Sequence, residues 1–386
     1  MPSYPTEKPF SRRRLGRLAL LRFTSGLATI AGGSLAFPLI SRAYQDRLMK
    51  RPPILGTTFS QLQCYYMELD WQATFKAVAS LGFDRIRLCA YWHEIEKTEN
   101  DFNFSQIDWL LEECDRRGIE VILAVGMKVP RWPEFHFPDW LRDRYDIKGN
   151  GLPLDANPAL AAHGLSFLQR VVDHLRPAPA ITHWQVENEP FTHLAIAGGR
   201  FLSYQFVRQE VELVRSWARP DQKILLTGSI TLPTAQDHAD QTALKLSMPL
   251  ADAFGLNVYT KVPLANTFFY LEPLPPFWRT LRQWQTTLVT QGKEAWVAEA
   301  QAEPWEPNQL VAMAKPDYPS ATPRRTTELV TTLAEAGYST ILLWGCEYWY
   351  WHHQQRRNQW WKAIQQLIRA PLADTTQASA LARKPS

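Results

Sequence analysis

The chain is poor in the residues that build metal-binding or disulfide-bonded proteins. Its 386 residues include four cysteines, and none of them falls in a CxxC pair. The nine histidines form no cluster with the spacing of metal ligands. A disulfide scaffold and a zinc ribbon are therefore both disfavoured.

A surplus of one charge sign is also lacking, since 42 Lys and Arg residues face 38 Asp and Glu residues. Residues 1–51 hold ten basic and two acidic side chains, so the rest of the chain carries 32 basic and 36 acidic ones. The basicity belongs to one end, and nucleic-acid binding is not indicated. Because 45% of the residues are hydrophobic, a wholly disordered chain is excluded.

The first fifty residues are typical of a targeting segment. The basic sequence SRRRLGR at 11–17 precedes an uncharged apolar stretch, Phe23 to Ile40. Paired arginines after a serine resemble a twin-arginine export signal, which predicts export across a bacterial-type inner membrane to the periplasm or beyond. Membrane attachment through residues 15–40, as an uncleaved anchor, is one alternative, and a helix packed on the domain is another. At the other end, residues 371–386 are predicted to be a disordered tail.

Between these ends, residues 51–370 alternate short apolar runs with longer segments of helical spacing, and we interpret them as one domain. The pattern predicts eight strands: Ile54–Phe59, Arg85–Ala90, Val121–Val125, His183–Glu187, Lys223–Thr227, Ala253–Val258, Ala295–Ala298 and Thr340–Leu343. Eight strands that are each followed by a helix predict an α/β fold, the closed (β/α)8 TIM barrel. A doubly wound open sheet is the alternative, but no GxGxxG or GxxxxGK[ST] sequence accompanies it.

In such a barrel the chemistry lies where strands run into their following loops. The fourth predicted strand ends in QVENEPF, with Glu187, Asn188 and Glu189, and the seventh ends in AEAQAEP, with Glu299 and Glu303. Two carboxylates that face each other across a barrel mouth suit glycosidic cleavage, which needs one acid and one nucleophile. The same acids could also form an ordinary solvated rim.

Other polar and aromatic residues end neighbouring strands. Arg87 and Tyr259 end the second and sixth strands, and they are the residue types that keep a carboxylate ionised. Trp344 ends the eighth strand, and an indole ring gives a sugar an apolar face for stacking. Trp92 and Trp132 are further, weaker candidates for contact with the substrate.

Together, Arg87, the triplet Asn188-Glu189-Pro190, Tyr259, Glu299 and Trp344 resemble the signature of the clan-A retaining glycoside hydrolases. This clan includes cellulase-like, mannanase-like and β-galactosidase-like enzymes. The resemblance implies a (β/α)8 barrel with Glu189 as acid/base, Glu299 as nucleophile and Asn188 on the sugar 2-hydroxyl. It also implies an oligo- or polysaccharide substrate, with no metal or organic cofactor.

Three points of this interpretation need structural evidence. Strict strand alternation would turn Asn188 and Glu189 to opposite faces, so the strand must end or bulge there. Glu303 competes with Glu299, which we prefer because it directly follows an apolar strand. A histidine that many cellulase-like members carry near the third strand is replaced by Lys128 and Arg131.

Two other functions remain open on sequence grounds. A transglycosylase that remodels a polysaccharide would use the same covalent intermediate, with a sugar in place of water. A membrane-tethered barrel that binds carbohydrate without cleaving it would keep the fold and lose the chemistry. The identity of the sugar, the linkage and the oligomeric state are not predicted.

Overall fold

Eight parallel strands follow one another around a closed barrel in chain order, and each pairs with its neighbours in sequence. The strands, numbered β1 to β8, are Ile54–Thr58, Arg85–Cys89, Glu120–Val125, Ile181–Val186, Lys223–Ser229, Ala253–Val258, Glu294–Gln301 and Thr340–Trp344. The first and last strands pair to close the ring. The prediction of a (β/α)8 barrel is confirmed, and the bounds of the strands differ from prediction by three residues at most.

The structure is a computed structural model that describes residues 52–192, 197–235, 237–264, 267, 269–307 and 318–369. The predicted export signal or anchor at residues 1–50 and the predicted tail at 371–386 lie outside the described residues. Within the described part, none of the helices combines the length and the apolarity that crossing a membrane requires.

Helices connect the strands and pack on the outside of the barrel. Their bounds are Gln61–Tyr66, Trp71–Ala79, Trp92–Ile95, Ser105–Arg117, Asp139–Arg144, Pro158–Leu175, Tyr204–Trp217, His238–Ser247, Pro275–Thr290, Pro323–Glu335, Cys346–Gln354 and Gln359–Arg369. Local sequence explains several of the starts. Asp70 accepts a hydrogen bond from the N–H of Ala73, and Asn157 caps a helix whose first residue is Pro158.

The inside of the barrel changes from apolar to polar along the strand direction. A lower layer includes buried side chains from alternate positions, among them Ile122, Leu225, Trp296 and Leu342. Two residues beyond Leu225 and Leu342 lie Thr227 and Trp344, whose side chains carry a hydroxyl and an indole N–H. Because successive side chains of a strand point to opposite faces, this spacing keeps both layers inside the barrel. The polar layer therefore opens at the carboxyl-terminal face.

Two loops build much of the rim at that face. The loop after β3 folds back on itself, with a bridge between Lys128 and Phe135. The loop after β6 forms a small antiparallel hairpin, in which Val262 pairs with Leu271 and Pro263 with Tyr270.

Candidate active site

Glu189 lies beyond the end of β4, in a turn of unusual backbone conformation. The strand stops at Val186, and both Glu187 and Glu189 have positive φ angles, 59° and 45°. The N–H of Asn188 donates to the carbonyl oxygen of Lys128 at 2.6 Å, which ties the turn to the loop after β3. Because the strand has ended, alternation no longer applies, and Asn188 and Glu189 both line one cavity.

The Glu189 side chain is almost fully buried and is held by its neighbours on β5 and β6. Its Oε1 accepts a hydrogen bond from Nδ2 of Asn257 at 2.7 Å. Its backbone N–H donates to Oγ1 of Thr227 at 2.9 Å. Asn257 was not predicted from the sequence, although it lies near the end of β6, two residues before Tyr259.

Burial raises the pKa of Glu189 to about 8. The positive charge of Lys128 acts in the opposite direction, and the negative charges of Glu134 and Glu299 raise the pKa further. Glu189 therefore carries a proton at neutral pH, as a general acid must.

Glu299 lies within β7, and both of its carboxylate oxygens receive a hydrogen bond. Arg87 donates to Oε1 at 2.7 Å, and the Tyr259 hydroxyl donates to Oε2 at 2.8 Å. The Arg87 guanidinium is fully buried and is fixed by Thr58 at 2.9 Å and Gln185 at 3.0 Å. Each oxygen of the Glu299 carboxyl group thus has a donor, and one of the two donors is a charged guanidinium.

The Tyr259 hydroxyl is a permanent donor in this arrangement. Burial, together with the negative charge of Glu299, raises the pKa of Tyr259 well above its usual range. The phenol therefore keeps its proton, and Glu299 is its acceptor.

Glu189 and Glu299 line the same cavity, which has a volume of about 920 Å3. Trp344, Asn188 and Tyr259 are also in its wall. The opening lies at the carboxyl-terminal face of the barrel, where (β/α)8 enzymes carry their active sites. A cavity of this size is large enough for a sugar ring together with a second group.

Glu303, the competing acid, is engaged in an ion pair instead. Its Oε1 is 2.9 Å from Arg131, which also contacts Glu347 at 2.7 Å. The Arg131 guanidinium lies 4.0 Å from the centre of the Trp344 ring. This cluster orients Trp344 and leaves Glu299 as the β7 carboxylate beside Arg87 and Tyr259. The sequence suggested neither the Arg131 pairing nor Glu347.

A second buried pair lies next to Glu189. The Lys128 ammonium is 3.2 Å from Oε2 of Glu134 and donates to the carbonyl oxygen of Glu189 at 3.0 Å. Burial raises the pKa of Glu134, and the charge of Lys128 lowers it. Lys128 and Glu134 belong to the loop after β3, which also contains His136, whose Nε2 lies 3.1 Å from the carbonyl oxygen of Arg131.

Glu187, which follows the fourth predicted strand, lies outside the cavity. Glu187 is fully buried, and its carboxylate accepts hydrogen bonds from the backbone N–H groups of Met127, at 2.7 Å, and Lys128, at 2.6 Å. It braces the loop after β3 and does not line the cavity. Its pKa is raised to about 7, mainly by burial.

Trp92 is a core residue, which corrects the prediction that it contacts substrate. It is buried, stacks on Phe167 at 4.8 Å and donates to Glu96 at 2.6 Å. Its place in a short helix after β2 turns the ring away from the barrel axis. Trp132, in contrast, is 55% exposed and lines the cavity, and Trp305 does so as well.

Residues 65–219 match the family model described as Glyco_hydro_42, Beta-galactosidase. The match includes Asn188, Glu189 and Arg87 and ends before Glu299. Comparison with curated protein sequences gives no match.

Solved structures of glycosidases share the fold at low sequence identity. A β-galactosidase from Bacillus circulans sp. alkalophilus is 13% identical, with a TM-score of 0.55, over 83% of this chain and 56% of that one. GH5_18 from Streptomyces cattleya, in complex with GlcNAc, is 14% identical, with a TM-score of 0.51, over 77% and 71%. Xylanase 10B from Thermotoga maritima is 11% identical, with a TM-score of 0.50, over 78% and 85%.

The chain spans little more than half the length of that β-galactosidase. The family model and these three structures all describe glycosidases, and the structures share the barrel. The predicted resemblance to the clan-A glycoside hydrolases is therefore confirmed, and so is the class of enzyme that it indicates, a glycosyl hydrolase.

Proposed function

We propose that this protein hydrolyses O-glycosidic bonds with retention of configuration, with Glu189 as acid/base and Glu299 as nucleophile. The observation that carries the proposal is the contrast between two carboxyl groups in one cavity. Glu189 is held protonated by burial, whereas Glu299 is paired with Arg87 and Tyr259. Double displacement requires one carboxyl group that gives up a proton and another that attacks the sugar.

In the first step, a carboxylate oxygen of Glu299 attacks the anomeric carbon. The bond from that carbon to the leaving oxygen breaks, and the Glu189 proton passes to the leaving oxygen. The products are a glycosyl ester on Glu299 and a free alcohol.

In the second step, water attacks the same carbon and the ester bond breaks. Glu189 takes a proton from that water, because esterification has removed the negative charge of Glu299 that raised its pKa. The free sugar leaves, Glu299 is again ionised and Glu189 is again protonated.

Asn188 is suited to hold the sugar 2-hydroxyl next to these groups. Its Oδ1 accepts hydrogen bonds from Gln185 and Thr227, each at 3.3 Å, and these contacts fix the orientation of the amide. The NH2 group of the same amide is oriented by these contacts, and its hydrogen bond to the 2-hydroxyl can strengthen as the sugar ring flattens in the transition state.

The test is a panel of aryl glycosides, with the configuration of the first product followed by proton NMR. We expect at least one glycoside to be cleaved with retention, and the Glu299→Ala variant serves as the inactive control. A first product of inverted configuration, or no turnover on any glycoside, would contradict the proposal. A product in which a second sugar has replaced water would identify the transglycosylase instead.

Export by the amino-terminal segment is a separate proposal, supported by the sequence of residues 11–40 alone. In a bacterial host with a twin-arginine pathway, we expect the full chain outside the cytoplasm. Replacement of Arg12 and Arg13 by lysine should keep the protein in the cytoplasm, as measured by cell fractionation. The same distribution of the unmodified protein and the variant between the fractions would contradict this proposal.

A further inference from the structure

The two sides of the cavity differ in chemistry. One side carries the charged side chains of Arg131 and Glu303, together with the Trp344 ring. The other side, which we call the apolar wall, consists of Ile230, Leu232, Val262 and Leu271. These four side chains come from the loop after β5 and from the hairpin after β6.

The apolar wall lies on the Glu189 side of the catalytic pair. β5 is the barrel neighbour of β4, and Thr227 on β5 accepts the N–H of Glu189 at 2.9 Å. Asn257 on β6 holds the Glu189 carboxyl at 2.7 Å. Since Glu189 protonates the leaving oxygen, the group attached to that oxygen departs on the side of β5 and β6.

Ser229 and Thr231 also line the cavity, but both are hydrogen-bonded to the helix behind the β5 loop. Asp240, on the helix behind this loop, accepts the N–H of Thr231 at 2.6 Å and the hydroxyl of Ser229 at 3.4 Å. A sugar in the leaving-group position would need such groups for its own hydroxyls, because unpaired hydroxyls are costly to bury.

The apolar surface continues outward along the hairpin. Leu264 and Phe269, near its tip, are 44% and 74% exposed, and the Leu264 N–H donates to the carbonyl of Phe269 at 2.9 Å. The segment that follows is tied to the β5 loop, because the Leu274 N–H donates to the carbonyl of Pro233 at 2.9 Å. This hydrogen bond holds the segment after the hairpin against the β5 loop, so the two parts of the apolar wall are joined at their backbones.

We propose that the leaving group is an apolar aglycone, of the size of a medium or long alkyl chain, which packs on the apolar wall. This inference rests on the proposed glycosidase function and narrows its substrate class from polysaccharides to glycosides of apolar alcohols. The alcohol receives the Glu189 proton, and water supplies the hydroxyl of the released sugar.

The first test uses the unmodified protein and the sugar that the aryl glycoside panel identifies. Methyl, butyl and octyl glycosides of that sugar are compared below their micellar concentrations, together with a disaccharide that has the same non-reducing sugar. We expect kcat/KM to rise about 2- to 4-fold for each added methylene. The octyl glycoside should be cleaved faster than the disaccharide.

Equal kcat/KM for methyl and octyl glycosides would overturn the inference, as would a preference for the disaccharide. Both outcomes leave the proposed glycosidase function standing, since aryl glycosides are still cleaved. Absence of turnover on every aryl glycoside would instead contradict the proposed function itself.

The second test places polar groups in the apolar wall. Val262→Thr and Leu271→Gln should each lower the ratio of kcat/KM for octyl over methyl glycoside, Leu271→Gln by about tenfold. The matched control is Leu152→Gln, because Leu152 is 59% exposed and does not line the cavity. Its ratio should equal that of the unmodified protein.

A ratio that stays unchanged in both wall variants would overturn the inference. Because each ratio compares two substrates on the same preparation, partial loss of folded protein cancels out. Circular dichroism spectra confirm that each variant is folded.

Discussion

Glu189 and Glu299 are the same amino acid in the same cavity, yet their surroundings are opposite. Glu299 receives two hydrogen bonds, from a buried guanidinium and from a phenol that keeps its proton. Glu189 receives one side-chain hydrogen bond, from a neutral amide, and is otherwise enclosed. The comparison teaches that the surroundings, not the residue type, distinguish the two acids to which we propose different roles.

The backbone contributes to this difference. Glu299 lies within β7, at a register shift that sets it opposite Asn257 of β6, and it contacts Arg87 and Tyr259. Glu189 lies beyond its strand in a left-handed conformation with φ of 45°. In that conformation its carboxyl group accepts a hydrogen bond from Asn257 at 2.7 Å.

The largest effect should come from removing the nucleophile. Glu299→Ala should lower kcat/KM for aryl glycosides at least about 10^4-fold, because no covalent intermediate can form. Sodium azide should restore part of the turnover by attacking from the vacated position, and the product azide should have inverted configuration. Assays with and without azide measure both changes.

Glu303→Ala is the matched control for that experiment. Glu303 lies four residues further along the chain and is paired with Arg131, so azide should not accelerate its variant. If azide restored turnover in Glu303→Ala but not in Glu299→Ala, Glu303 would be the nucleophile instead of Glu299.

Removing the acid should have a smaller effect that depends on the leaving group. Glu189→Gln should lower kcat/KM about 10^2- to 10^4-fold for an alkyl glycoside, which needs a proton on its leaving oxygen. A dinitrophenyl glycoside, whose leaving group needs none, should form the glycosyl ester almost as fast as before. Pre-steady-state kinetics on the two substrates would detect the difference, and equal losses would argue against the acid role.

Removing one of the two hydrogen bonds to Glu299 should have a moderate effect. Tyr259→Phe removes one hydrogen bond to a charged group, which corresponds to a loss of about 10- to 100-fold in kcat/KM. The steady-state rate on one aryl glycoside is sufficient to measure it. A loss below about twofold would mean that Arg87 alone sets the state of Glu299.

The smallest expected effect is in the dependence on pH. Since Glu189 must be protonated and its pKa is raised to about 8, kcat/KM should fall about fivefold between pH 8 and pH 9. In Glu299→Gln the pKa of Glu189 should decrease, because a neighbouring negative charge is gone. Carbon-13 NMR titration measures this shift, and an increase would contradict the coupling between the two acids.

Much of the barrel could be predicted from sequence, because parallel strands and their helices produce regular patterns. The strand bounds follow from short apolar runs such as that of β6, which the sequence placed at Ala253–Val258, as observed. The residues at the strand ends were also predictable in part, since Arg87, Tyr259 and Trp344 each come directly at or after an apolar run.

Contacts between distant loops could not be predicted in this way. Arg131 meets Glu303 and Glu347 across more than 170 residues of chain, and no local pattern records that meeting. Trp92 was assigned to the site from its position after β2, but a short helix that begins there redirects its ring into the core. Side-chain direction after a strand end depends on the loop, which the sequence pattern leaves undetermined.

The most direct test of the account is to trap the covalent intermediate. A dinitrophenyl 2-deoxy-2-fluoro glycoside of the preferred sugar should react once, and peptide mass spectrometry should find the sugar on Glu299. The adduct should be absent from Glu299→Gln. An adduct on Glu303 or Glu189, or continued hydrolysis with no adduct on any carboxylate, would contradict the assignment of the nucleophile.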